Sequence, residues 1–160
     1  MALRPTPCYE DVAIGDTLPG LHKGPLTSTH LMRWSAAIEN WHKIHYDAPY
    51  TLQHEKLPGL MVNGSLKQQF VVQLLKDWAG PHGWVWKVRL QFRAMNLAGE
   101  RLTAWARVTA RQAAPAYGLI DLELGILNQD GKESTPGTAT VALPYRGGAP
   151  VPYPFEPPPP

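Results

Sequence analysis

With 160 residues, 44% of them hydrophobic and 18% charged, the chain has the size and composition of one globular domain with a true core. A formal charge of +2 and no run of basic residues argue against a nucleic-acid partner, but leave an acidic small molecule open. Cys8 is the lone cysteine, so no disulfide can close within the chain. No apolar stretch is long enough to span a bilayer, and the first residues lack the apolar core of a leader. The expectation is a cytoplasmic protein with no membrane partner.

In chain order, Thr27, Ser28 and Thr29 offer N-cap oxygens ahead of Leu31, Trp34, Ser35 and Ile38, which share one helical face. This helix is expected to end near Glu39 or Asn40. Trp41 to Tyr50 has no clean period, and a short helical turn is expected after Asp47, before the Pro58-Gly59 break. The first third therefore reads as helix and loop. A longer helix begins after Asn63-Gly64 and runs to about Trp78, with Leu66, Phe70, Val71, Leu74, Leu75 and Trp78 as its apolar stripe. Lys67, Gln68, Gln73, Lys76 and Asp77 mostly lie off this stripe, and Gly80-Pro81 stops the helix.

Beyond this point the period changes to two. Trp84, Trp86, Val88, Leu90 and Phe92 alternate with polar residues. So do Leu102, Ala104, Ala106, Val108 and Ala110, then Ile120, Leu122, Leu124 and Ile126, then Ala139, Val141 and Leu143. Turn-like breaks fall at 96–99, 113–118 and 128–131. The reading is an antiparallel meander of four consecutive strands with one buried face. That face needs a cover, and the helix from Gly64 is the strong candidate. Small residues at Ala104, Ala106 and Ala110 would let it approach closely. The expected class is α+β, in the hotdog arrangement of an antiparallel sheet wrapped around a long central helix. It spans residues 1–146 as one domain, with a proline-rich tail over 147–160. In that tail proline fixes φ and removes backbone donors. Either Tyr153 and Phe155 pin it as an extended strap, or it is a mobile end.

The chemistry concentrates between Ser35 and Ser65. Asn40, His42 and His45 lie close together in an aperiodic segment, with Asp47 just beyond, and Asn63-Gly64 opens the long helix. Histidine exchanges a proton near neutrality, so His45 and His42 are acid-base candidates; packing on the sheet or capping a helix would explain His42 as well. A metal on His42-x-x-His45 needs a further ligand, and Asp47, His54 and Glu55 form no known spacing, so no metal site is expected. Cys8 has no base beside it in sequence and is a weak nucleophile candidate. The first N–H groups of a helix lack internal partners and sit at its positive end, so Gly64 can present a backbone donor to a carbonyl. Alternatively, Gly64 merely turns the chain into the helix.

Two blocks carry a family resemblance. Asn40-Trp41-His42-Lys43-Ile44-His45-Tyr46-Asp47 and Leu57-Pro58-Gly59-Leu60-Met61-Val62-Asn63-Gly64-Ser65-Leu66 resemble the MaoC-like hydratases and dehydratases. The likeness is greatest to the branch of 3-hydroxyacyl-thioester dehydratases type 2 and mesaconyl-CoA hydratases. Weaker likeness extends over Tyr9 to Asp16, Phe92 to Leu102, Asn128 to Gly131 and Gly137 to Val141. The resemblance implies a hotdog fold and reversible addition of water to an α,β-unsaturated thioester. The substrate would be carried on coenzyme A or acyl carrier protein, with no cofactor beyond that carrier. It places the water-holding pair at Asn40 and His45 and the thioester-carbonyl donor at Gly64. Two positions depart from the wider family: Asn40 stands for its aspartate, a change the nearest branch tolerates, and Asn63 stands for the histidine before the glycine.

Trp34, Trp41 and Tyr46 are candidates for the acyl pocket, and equally for the core. Arg93, with Lys87 and Arg89, either meets the coenzyme phosphates or belongs to a solvated strand face. Hotdog proteins usually pair, so a homodimer or an oligomer of dimers is expected. Two other functions stay open: an accessory hotdog subunit of a hetero-oligomeric dehydratase, and an acyl-CoA thioesterase, which on this fold generally uses a carboxylate of the main helix.

Overall fold

The computed structural model describes residues 7–158; the ends of the expected domain and tail, 1–6 and 159–160, lie outside the described residues. The order of elements is β1 (Leu21–Lys23), α1 (Ser28–Ala37), α2 (Gly64–Ala79), β2 (Trp84–Leu90), β3 (Leu102–Ala113), β4 (Gly118–Asn128) and β5 (Gly137–Leu143). A 3-10 turn at Lys43–His45 and a π-turn at Tyr50–His54 fill the stretch between α1 and α2. No helix among the described residues is long and apolar enough to cross a membrane.

α2 is the centre of the core. Leu66, Phe70, Val71, Leu74, Leu75 and Ala79 are buried. They face Leu102, Ala104, Ala106 and Val108 of β3, Ile120, Leu122, Leu124 and Ile126 of β4, and Ala139, Val141 and Leu143 of β5. Each fully buried aliphatic side chain contributes about 1.5–3 kcal/mol of transfer free energy. Ala104 and Ala106 are the small residues that let the helix lie against the sheet. Gly80 ends α2 with φ of 66°, and its N–H returns to the Lys76 carbonyl at 3.0 Å.

The sheet is antiparallel throughout, in the order β1-β3-β4-β5-β2. It is therefore not a meander of four consecutive strands. Only β3, β4 and β5 follow one another; β2 pairs with β5 at the far edge, and residues 91–101 cross back to reach β3. Short-range periodicity identifies strands but carries no information on which strand is the neighbour, so the order could not be read from it. β1 was also missed, because three residues are too few to show a period.

Two bulges correct the expected faces. Between Val85 and Lys87 the register shifts, so Trp86 is the extra residue. Val85, Val88 and Leu90 then pack on the main core, while Trp84 and Trp86 turn to the outer face. Between Val108 and Ala110 a second shift makes Thr109 the extra residue, so Ala110 leaves the inner face and Arg111 pairs with Ile120. The guanidinium of Arg111 lies 4.3 Å from the Tyr9 ring centroid and donates to the Tyr9 carbonyl at 2.8 Å.

The outward indoles explain where the tail goes. An exposed pair of tryptophans costs apolar hydration, which the tail relieves. Phe155 packs on Trp84, Trp86 and Tyr117, with ring centroids 5.4 to 6.1 Å apart. The Val151 N–H donates to the His82 carbonyl at 2.9 Å, and the Tyr117 hydroxyl donates to the Glu156 carbonyl. The tail is a strap on its own domain, held through Phe155; Tyr153 is 84% exposed and adds only a tilted contact with Trp84.

Leu75 is fully buried against the sheet. Leu75→Ala should lower the unfolding free energy by about 2–5 kcal/mol in urea denaturation.

Candidate active site

α1 ends at Ala37, earlier than Glu39 or Asn40, because Glu39 takes a left-handed φ of 53°. The Asn40 N–H closes the turn on the Ser35 carbonyl at 2.9 Å. The Asn40 side chain folds back, and its Oδ1 accepts the His42 N–H at 3.2 Å. His42 is exposed and stands just before the 3-10 turn that lifts His45 inward. Asp47 caps the next turn, with Oδ1 accepting the Tyr50 N–H at 3.0 Å.

His45 is only 8% exposed. Its Nδ1 lies 2.8 Å from the Met61 carbonyl, which can only accept, so Nδ1 carries the proton and Nε2 is left as the acceptor. The Met61 N–H in turn donates to the Ile44 carbonyl at 2.9 Å. The histidine turn and residue 61 are thus tied twice. Burial holds the His45 pKa below the usual histidine range; the Met61 carbonyl opposes this, and the neighbouring His42, with ring centroids 6.2 Å apart, reinforces it. A neutral imidazole at pH 7 is the form a general base requires.

Met61 lies three residues before Gly64, so the imidazole is anchored at the amide end of α2. The Leu66 and Lys67 N–H groups are taken by the Asn63 carbonyl at 3.1 and 3.2 Å. No acceptor among the described residues takes the Gly64 N–H. A Cβ at Gly64 would meet the Phe92 ring at 3.3 Å, so glycine here allows close packing beneath the helix start. Asn63 is buried and does not cap the helix. Its Nδ2 donates to Ser35 Oγ at 3.3 Å, and its Oδ1 is a buried acceptor without a partner.

The other candidates divide. Trp34 is half-buried and donates from Nε1 to Ser65 Oγ at 2.9 Å, pinning α1 to the first turn of α2. The Tyr46 hydroxyl donates to the Trp41 carbonyl at 2.7 Å, which fixes the loop, while the Trp41 indole is 58% exposed. Trp41 is therefore not a core residue of this chain. Arg93 is exposed and turned onto Gln91 Oε1, and Lys87 and Arg89 also lie in solvent.

The sequence reading groups Lys67 with the polar residues mostly off the apolar stripe of α2, and the structure buries it at 3% exposure. Its Nζ donates to the Ala94 carbonyl at 3.0 Å and to Asn96 Oδ1 at 3.2 Å. Burial brings its pKa down to about 8, against the opposing pull of Glu100. The signal was present: Lys67 lies at i, i+3, i+4, i+7 and i+8 spacing with Phe70, Val71, Leu74 and Leu75. Buried lysine is rare, which makes this burial a feature to explain.

The model of the family of hydroxyacyl-thioester dehydratases type 2 matches residues 19–100, half of the chain and all of the site. The chain belongs to this family. Over 74 residues, 46% of this chain, it is 36% identical to the mesaconyl-C(4)-CoA hydratase of Chloroflexus aurantiacus. The aligned part is 26% of that relative, so the chain matches about a quarter of its length. Among solved structures, the (R)-hydratase from A. caviae involved in PHA biosynthesis superposes with a TM-score of 0.72 at 23% identity. The match covers 84% of this chain and 99% of that one. The MaoC-like dehydratase from Rhodospirillum rubrum gives 0.73 at 19% identity, covering 86% and 96%. These likenesses establish the hotdog fold of this dehydratase-family chain, which the helix-in-sheet arrangement already displays.

In a nitrogen-detected NMR titration, the His45 ring should hold its proton on Nδ1 at pH 7 and become doubly protonated only below the free-histidine midpoint of about 6.5. A midpoint at or above that value would contradict the buried, neutral imidazole.

Proposed function

We propose that the protein adds water reversibly to an α,β-unsaturated acyl thioester carried on coenzyme A or acyl carrier protein. The observation that carries this reading is the buried imidazole of His45, fixed by Met61 at the amide end of α2 with Nε2 left to accept a proton. In hydration the thioester oxygen would meet the Gly64 N–H. Water oxygen bonds to the β-carbon as its proton passes to His45 Nε2. The double-bond electrons move onto the thioester oxygen, where the amide and the helix dipole stabilise the charge. The α-carbon then takes a proton from the imidazolium, directly or through His42. Dehydration is the reverse.

Asn40 has the role of orienting water. Its oxygen already accepts the His42 N–H, so its amide Nδ2 is the group free to donate to the water oxygen. It cannot titrate, and His45 is left as the principal acid-base group. Trp34 supports the α2 start from the α1 side, and the exposed Trp41 indole is a candidate wall for the acyl group. Ile38, Trp41, Phe92 and Met95 are large apolar residues exposed on the segments that carry the site, at 41 to 58%. A second copy of the chain would cover such a surround, which supports a homodimer.

A thioesterase reading is disfavoured by Asp77. This carboxylate of α2 sits in its last turn, exposed and accepting from Gln73 at 3.4 Å, far from Gly64.

His45→Ala should fold and lose on the order of 100- to 10,000-fold in enoyl-CoA hydration, followed as loss of enoyl absorbance with crotonyl- and mesaconyl-CoA. Full activity in that variant would refute the assignment, and free thiol release would mark hydrolysis instead. For Asn40→Asp the expected outcome is retained or faster turnover in the same assay. An inactive Asp variant would show that residue 40 does something other than hold water.

A further inference from the structure

Lys67 is a charge placed against two physical preferences. It lies in the first turn of α2, where the helix dipole opposes a cation, and it is withdrawn from water. Withdrawing an ammonium from water costs more than burying an apolar side chain of the same size, so core packing alone gives little reason for a lysine here. Its contacts point to a use. The ammonium holds the crossover of residues 91–101 at Ala94 and Asn96 and lies 5.7 Å from the centroid of Phe92, the ring packed under Gly64. Asn96 is itself a junction. Its carbonyl accepts the Val62 N–H at 2.8 Å, and its Nδ2 donates to Glu100 Oε2 at 2.8 Å. Beside it Met61 bridges Leu97, and the Ala98 N–H donates to the Leu60 carbonyl at 2.8 Å. Residues 60–62 are therefore backed along their length by the crossover that Lys67 grips, and this is the segment whose Met61 carbonyl aims His45.

We propose that Lys67 is a positioning residue. It locks the 91–101 crossover against the first turn of α2, and so sets the Gly64 N–H and the His45 imidazole relative to one another. The inference rests on the hydratase reading for the reaction it serves, and it adds a residue that touches neither substrate nor water. The geometry it maintains is the separation between a hydrogen-bond donor and a base, to which rates respond steeply.

The test compares wild type with Lys67→Met, which keeps the stem and removes the charge. Lys67→Met should stay folded, keep KM for crotonyl-CoA within about threefold, and lose on the order of 10- to 100-fold in kcat. In amide hydrogen exchange, Val62 and Ala98 should exchange at least about tenfold faster in the variant, while Leu74 and Leu75 in the distal half of α2 are unchanged. Unchanged kcat would overturn the proposal, as would a fall in kcat accompanied by a lower melting temperature and faster exchange along all of α2, the pattern of a merely structural residue. If Lys67→Met does not fold, Asn96→Leu severs the same junction from the crossover side, and the same outcomes decide. Wild-type protein without turnover on any enoyl thioester would sink the hydratase reading instead. Exchange at Val62 and Ala98 would then still decide whether Lys67 forms the clamp.

Discussion

A helix buried in a curved sheet still has to end, and its first N–H groups have no partner within the helix. The rest of this molecule is arranged around that constraint. α2 enters the core at Gly64 with its stripe against β3, β4 and β5, so its positive end emerges at a fixed place on the domain. Two of the early N–H groups go to the Asn63 carbonyl, and no acceptor among the described residues takes the Gly64 N–H. Asn63 has a side chain suited to capping, yet that side chain turns to Ser35. Among the described residues, no side chain caps the start of this helix.

The proposed hydration also requires a base at that opening, in the right protonation state. One backbone carbonyl, that of Met61, settles both matters. It fixes the tautomer of His45 by accepting from Nδ1, and it belongs to the segment that leads directly into α2. Burial then keeps the ring neutral. The titrating partner that an aspartate would have provided at position 40 is absent, and Asn40 spends its oxygen on local backbone. In the proposed reaction, a single imidazole and a backbone donor would carry the chemistry.

Much of this was legible in the sequence, because the residues involved obey local rules. The stripe of α2, the alternation in β3 to β5 and the turn at Asn128 to Gly131 each depend on neighbours within a few positions. The pairing of β2 with β5 depends on contacts some fifty residues apart, and no local pattern reports them. The bulges at Trp86 and Thr109 were invisible for another reason: each inserts one residue into an otherwise unbroken alternation and reverses every face beyond it. For the site, Asn40, His45 and Gly64 were suggested by residue type and resemblance, and the structure ties His45 to the segment leading into Gly64. Lys67 went the other way. Its spacing with Phe70, Val71, Leu74 and Leu75 is that of an inward-facing residue, yet it is grouped with the polar residues off the stripe.

The strap over the outer sheet face shows how a segment without helix or strand can be held by one aromatic anchor, one buried valine and two hydrogen bonds. Prolines at 150, 152 and 154 restrict the chain before it docks, so the unfolded ensemble has little freedom to surrender when Phe155 seats on the indoles. Stiffness built into the sequence thus substitutes for a ladder of hydrogen bonds. The bulge that turns Trp86 outward and the prolines that lead up to Phe155 meet at one aromatic contact.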